Sequence, residues 1–286
     1  MVGTSAGSGI PNFSGTPGAF TALGLPDIAS ANAINAGGEV VGTDGMGGSF
    51  LLSGGTLQTL PSVNGTTANE SALGINDSGI IVGEYADNGS PASSLGFIDT
   101  QGVFTTLNPN GLSAVTFAQG INNNGLVVGF YGTAADPATT HGFLFDSVTD
   151  VYNTALPDPS TPQTANDNLA FTQFLGINDS GEAVGYYGTK DTKSQFGFLF
   201  NTNTGTYTYL DDPQAAPFMG TQVTQITGIT NSGEIAGFYT NADNATLGFV
   251  ATPAAVPEAS SLVSLSLLLA LGVGGVYAAK KRNVAA

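Results

Sequence analysis

Ile75-Asn76-Asp77-Ser78-Gly79-Ile80-Ile81-Val82-Gly83 sets the pattern of this chain. An apolar residue, Asn, two small polar residues and Gly precede a branched apolar run and another Gly. The first five positions return as Ile34-Asn35-Ala36-Gly37-Gly38, Ile121-Asn122-Asn123-Asn124-Gly125, Ile177-Asn178-Asp179-Ser180-Gly181 and Ile229-Thr230-Asn231-Ser232-Gly233. The second position falls at 35, 76, 122, 178 and 230, at intervals of 41, 46, 56 and 52 residues. Self-similarity at this period marks a repeat architecture, and about 40–50 residues is one blade of a β-propeller.

Within a repeat the phrase reads as a hairpin turn. Asn at the first turn position bonds backbone ahead of it, and Gly at the fourth supplies the left-handed residue of a type I turn with a bulge. In the second repeat the spacing predicts four strands, Ser71–Ile75, Ile80–Tyr85, Leu95–Thr100 and Val103–Leu107. The second strand is apolar on both faces, as expected of a strand covered on both sides. The third carries Gly-Phe, at Gly96-Phe97, Gly142-Phe143, Gly197-Phe198 and Gly248-Phe249. The fifth repeat shows three of the four pieces, and Phe20-Thr21-Ala22-Leu23 near the start resembles Phe104-Thr105-Thr106-Leu107. An N-terminal strand that completes the last repeat would close a ring and remove exposed edges. The expected fold is therefore all-β, a five-bladed propeller-like domain over residues 18–251, after a flexible arm at 1–17. A β-sandwich or a solenoid is the alternative.

Composition agrees with strands and turns. Of 286 residues 41 are Gly, charged residues make up only 9 %, and Cys is absent, so there is neither a disulfide framework nor a thiolate metal site. The net charge is −16, and Lys190 and Lys193 are the only basic side chains before residue 257. A surface this acidic cannot neutralise phosphates, which argues against nucleic-acid binding.

The C-terminus has a separate logic. After a linker at 252–261, Leu262 to Ala279 carries no charge and as a helix spans about 27 Å, close to a bilayer core. Lys280-Lys281-Arg282 follows and, by the positive-inside tendency, holds residues 280–286 in the cytoplasm with the acidic domain outside. Val256-Pro257-Glu258, the apolar run and the basic cluster, in this order, resemble the PEP-CTERM sorting domain, with Ala259 in place of the final Pro. That resemblance implies an exosortase-type transpeptidase as partner, transient anchoring in the inner membrane, and delivery to the surface of a bacterium that makes exopolysaccharide. Met1 to Gly18 lacks the basic and apolar regions of a signal peptide, which an exported protein is expected to have. A tail-anchored protein with a cytoplasmic domain is the alternative. The Gly-Phe strand with the Ile-Asn-x-x-Gly turn also resembles the HAF repeat of extracellular bacterial proteins, although His141-Gly142-Phe143 alone keeps the His.

Candidate sites are few. His141 is the single histidine, and other repeats fill its place with unrelated residues, so it reads as a strand-end side chain. Glu39, Glu182 and Glu234 recur at one repeat position and read as strand starts. Asp44 and Glu84 follow Gly42 and Gly83, where other repeats have Phe130, Tyr186 and Phe238, and are the acids expected on one rim. Tyr131, Tyr187 and Tyr239 follow at the same strand ends, expected either in inter-blade packing or on a rim that stacks against sugars. A calcium loop needs several converging oxygens at fixed spacing, and Asn76-Asp77-Ser78-Gly79 is only a local cluster, so neither a metal nor another cofactor is expected and calcium stays the weaker reading. The expected function is that of an exported, non-enzymatic surface or matrix protein, structural or adhesive among extracellular polysaccharide. A glycoside hydrolase on the same scaffold is the alternative; it would need an asymmetric pair of acids.

Overall fold

The computed structural model describes residues 29–252 apart from 64, 66–68, 87–92, 112, 134–138 and 160–167, together with 2–3, 13–16, 19–25, 271–272 and 275–276. These residues form an all-β protein in two compact units, Met1–Leu156 and Pro157–Ala286.

The first unit opens with β1 (Val2–Gly3), β2 (Phe13–Thr16) and β3 (Ala19–Ala22), three antiparallel strands in that order. Repeat one is β4 (Ser30–Ile34), β5 (Val40–Thr43), β6 (Ser49–Ser53) and β7 (Thr56–Thr59). Repeat two is β8 (Glu70–Ile75), β9 (Ile81–Ala86), β10 (Ser94–Thr100) and β11 (Val103–Leu107), and repeat three is β12 (Ser113–Ile121), β13 (Leu126–Thr133), β14 (Thr140–Asp146) and β15 (Val151–Asn153). Each is an antiparallel meander, and repeats two and three meet at one parallel pair, Ser94 with Val115.

In the second unit repeat four is β16 (Leu169–Ile177), β17 (Glu182–Thr189), β18 (Gln195–Asn201) and β19 (Thr206–Leu210). Repeat five is β20 (Thr224–Ile229), β21 (Ile235–Thr240) and β22 (Thr246–Ala251), three strands in that order. The strands expected in repeat two lie within about two residues of those found.

The turn has the expected chemistry. The Gly79 amide donates to the Asn76 carbonyl at 3.0 Å, with Gly79 at φ +74°. Asn76 Oδ1 accepts the Ser78 and Ile80 amides, both at 3.0 Å, which satisfies donors at the start of β9. The structure adds what local reading does not contain: the same side chain reaches the next repeat. Asn76 Nδ2 donates to the Asn122 carbonyl at 3.2 Å, Asn35 Nδ2 to the Asn76 carbonyl at 3.1 Å, and Asn178 Nδ2 to the Thr230 carbonyl at 3.2 Å. A second rung runs alongside, where the Asp77 amide donates to Asn123 Oδ1 at 2.8 Å and Asn123 Nδ2 returns a bond to Asp77 Oδ2 at 2.7 Å. Asp179 and Asn231 repeat this exchange in the second unit. The recurrent phrase is thus both a turn and a staple between neighbouring repeats. Glu39 and Glu182 extend the staple by accepting from Asn35 and Asn178.

The glycine after the apolar run has its own cause. In every repeat the first two strands carry a β-bulge, at Ala31/Ala33, Ala72/Gly74, Ala118/Gly120, Phe174/Gly176 and Ile226/Gly228. Gly83 lies against the bulge of repeat two, so that a Cβ there would overlap the Ser71 carbonyl and stand 2.8 Å from the Phe97 ring. Burial follows the alternation of β9, where Ile81 packs with Val41, Ala72, Tyr85 and Phe97 while the next residue, Val82, packs with Ile98, Leu107, Val127 and Phe143. Successive residues thus enter different cores, which is why the second strand is apolar on both faces. In the second unit Val184, Leu210, Ile226, Tyr239 and Phe249 form the corresponding core of repeats four and five.

Three expectations need correction. Residues Val2–Gly3 and Phe13–Thr16, expected within a flexible arm, are paired strands. β3, expected as the fourth strand of repeat five, is paired with β2 instead. Thr16 pairs with Ala19, and strands so near in sequence close far less chain than a pairing with repeat five would. Of the segment expected as an apolar helix, 262–279, the described pieces β23 (Leu271–Gly272) and β24 (Gly275–Val276) form an antiparallel ladder. Gly272 and Gly275 are poor helix residues. The rest of that segment, Val256-Pro257-Glu258 and Lys280-Lys281-Arg282 lie outside the described residues. Among the described residues no helix is long and apolar enough to cross a membrane.

Candidate functional site

The first unit carries an open cleft of about 660 Å³ where the end of β5, the start of β8, the end of β9, the start of β10 and part of β12 come together. Glu84 sits in it. Cross-strand pairing sets Glu84 opposite Ser71 on one side and Gly96 on the other, and Ser94 pairs with Ala86 two positions on. The Ser71 and Ser94 hydroxyls both donate to the Glu84 carboxylate. Burial nevertheless pushes the Glu84 carboxyl above the usual Glu range, the two serine hydrogen bonds oppose that shift, and the charge of Glu70 adds to it. Glu84 therefore holds a proton more readily than an exposed carboxylate.

Glu70 also lines the cleft but is committed to its surroundings. It is 4 % exposed, and its Oε1 accepts the Ser62 hydroxyl at 2.6 Å and the Val63 amide at 3.0 Å. Its own amide donates to the Gly47 carbonyl at 2.8 Å, which ties repeat two to the loop after β5. Phe117 forms an apolar wall, its ring stacked on Phe130 at 4.9 Å. Met46 stands at the mouth, 78 % exposed.

The acids expected on the rim separate. Glu84 lies in the cleft, whereas Asp44 builds its wall. Asp44 Oδ1 accepts the Met46 amide at 2.8 Å and the Gly48 amide at 3.0 Å, so it shapes the Gly45–Gly47 turn. Asp44 stands two places after Gly42 and so shares the place of Tyr85, Tyr131, Tyr187 and Tyr239, while Glu84 shares that of Thr43, Phe130, Tyr186 and Phe238. The sugar-stacking alternative for Tyr131, Tyr187 and Tyr239 is corrected by burial: they are 7 %, 2 % and 1 % exposed. They are packed in the cores: Tyr131 clusters with Val82 and Ile98 of repeat two, Tyr239 with Val184 and Leu210 of repeat four, and Tyr187 stacks on its cross-strand partner Phe196. His141 is exposed at the start of β14, beside the Tyr131 ring at 5.8 Å.

Glu70, Ser71, Ser94 and Phe117 did not stand out in the sequence. A signal for Glu70 exists, since it lies five places before Ile75, where the other repeats have Ala29, Thr116, Thr172 and Thr224. Both carboxylates of the cleft are thus departures from the repeat, and both fall in repeat two. Among the described residues no group of three or more Asp, Glu or His could hold a metal ion.

Comparison with known proteins adds little chemistry. Residues 105–240 match a family described as a protein of unknown function, DUF3466. No curated protein matches the chain. Among solved structures, the chain is similar to the Aleuria aurantia lectin (14 % identity, TM-score 0.46, covering 86 % of this chain and 85 % of that one). It is also similar to the β-propeller domain of the trilobed protease from Pyrococcus furiosus (9 % identity, TM-score 0.42), over 74 % of this chain and 62 % of that one. A third likeness is to the neuraminidase-like protein of influenza subtype N11 from a flat-faced bat (13 % identity, TM-score 0.36), covering 78 % of this chain and 69 % of that one. This chain therefore spans less than two thirds of the protease domain's length.

Proposed function

We propose that this protein is an exported, non-enzymatic surface or matrix component that binds extracellular polysaccharide through the cleft of repeat two. One observation carries the reading: Glu84 is an acid that breaks the repeat inside a cleft, flanked by serine hydroxyls and an aromatic wall. Carboxylates and hydroxyls bond to sugar hydroxyls, and an aromatic face packs against the C–H face of a sugar ring. A glycosidase needs two carboxylates free to face the scissile bond. Glu70 is buried and held by Ser62 and Val63, so the cleft offers one. This supports binding over hydrolysis.

On the same reading the five repeats are the blades of a propeller. The tail carries the sorting signal: Val256-Pro257-Glu258 is read by an exosortase-type transpeptidase, the apolar run at 262–279 holds the chain in the membrane, and Lys280-Lys281-Arg282 stays inside. The resemblance of this ordered trio to the PEP-CTERM domain supports that part.

The test is a glycan-array assay on the full chain in detergent, with sugar release measured in the same wells. Binding without release, lost in Glu84→Tyr, is the expected result. Release that depends on Glu84 and Glu70 would establish the hydrolase instead. Retained binding in Glu84→Tyr would move the site elsewhere.

A further inference from the structure

The charge of the cleft limits what it can hold. Residues 1–156 contain neither lysine nor arginine, so no such cation from this unit can offset Glu84 or Glu70. The polar side chains around the opening are the Thr43, Ser71 and Ser94 hydroxyls, the Asn69 amide and the carboxylates of Glu70 and Glu84. A uronate or a sulfated sugar brought there meets like charge with no donor cation. A neutral sugar gains hydrogen bonds alone. A sugar with a free amine gains a charge-assisted bond to a carboxylate, about twice as strong as a neutral one. The arrangement of the carboxylate favours that contact: Ser71 and Ser94 hold Glu84 from its two neighbouring strands, and the Phe117 ring, fixed by stacking on Phe130, limits water on one side.

We infer that the cleft selects saccharides by charge, preferring those with a free amino group, tolerating neutral ones and rejecting acidic ones, with Glu84 as the specificity-determining residue. This rests on the saccharide-binding reading above. The chemistry recognised is an ammonium group set among ring hydroxyls, a de-N-acetylated hexosamine.

The test is isothermal titration of the full chain in detergent with three oligosaccharides of equal length: a glucosamine oligomer, a glucose oligomer and a galacturonate oligomer, at fixed low salt. The expected order is glucosamine about tenfold tighter than glucose, with no measurable galacturonate binding. Glu84→Gln should bring glucosamine to the level of glucose while leaving glucose binding within about threefold, and Ser94→Ala serves as a milder variant if Glu84→Gln fails to fold. Equal affinity for the amine and neutral oligomers, or a glucosamine preference that survives Glu84→Gln, overturns the inference and leaves the saccharide site standing. A lysine pentapeptide that binds as tightly as the glucosamine oligomer overturns it too, because the sugar hydroxyls would then add nothing. Failure of all three sugars to bind overturns the saccharide reading itself.

Discussion

In repeat four, Thr172 and Tyr186 stand where repeat two has Glu70 and Glu84. The surroundings are otherwise matched. Both repeats have the Asn turn, the bulge two residues before the end of the first strand, and a glycine facing that bulge. In repeat four the cross-strand pair is Gln173 with Tyr186, and the phenol donates to Gln173 Oε1 at 2.6 Å. Burial raises the Tyr186 hydroxyl further above its usual range, so it stays neutral and its bond is internal. In repeat two the pair is Ser71 with Glu84, and a carboxyl replaces the phenol at the edge of an open cleft. The comparison separates scaffold from site. Positions fixed by backbone geometry are identical in the two repeats, and the two positions free of that constraint carry the chemistry.

The largest expected effect tests the scaffold half of the comparison. Gly83→Ala and Gly185→Ala each drive a Cβ into a carbonyl of the preceding strand, so each should cost about 3 kcal/mol or more in urea unfolding. A cost below about 1 kcal/mol in one of them would show that the two repeats do not share this constraint.

Next come the staples. Asn76→Ala and Asn178→Ala each remove two amide acceptor contacts within the turn and one bond to the next repeat, an expected loss of about 2–3 kcal/mol, and Asn178→Ala removes the bond to Glu182 as well. A loss confined to a few tenths would reduce the phrase to an ordinary turn.

Giving repeat two the side chains of repeat four, Glu70→Thr with Glu84→Tyr, should abolish ligand binding while changing stability by no more than about 1 kcal/mol. Removing carboxylates from partly buried places offsets the lost bonds to Ser62 and Val63. Calorimetry and unfolding on the same sample would read both, and a large loss of stability would mean that Glu70 is chiefly structural.

The smallest effect is on pH. The folded-state value of Glu84 is raised above its ordinary 4.5, so its contribution to stability is present in full below that value and fades as pH rises through the folded value. Wild type should therefore lose stability relative to Glu84→Gln as pH goes from 4.5 upward. Thermal melts of the pair across that range check the sign. A gap of the opposite sign would mean that the serine hydrogen bonds outweigh burial.

The sequence alone specifies the repeat, the four-strand unit, the turn chemistry and the two-faced second strand. These depend on contacts a few residues apart: Asn76 with Ser78 and Ile80, Gly79 at positive φ, and alternation along Ile81-Val82. It also marked Glu84 as out of pattern. Tertiary structure decided which out-of-pattern residues meet. Asp44 and Glu84 looked alike as rim acids, and the fold set one to shaping a turn and the other in a cleft. Tyr131, Tyr187 and Tyr239 sit one place further along their strands than the Glu84 position, and one place turns a side chain to the opposite face of the sheet, into the cores. The Asn staple, the burial of Glu70 and the pairing of β3 with β2 depend on groups brought together from different elements. Local periodicity determines which face a side chain takes, while its neighbours across that face come from packing.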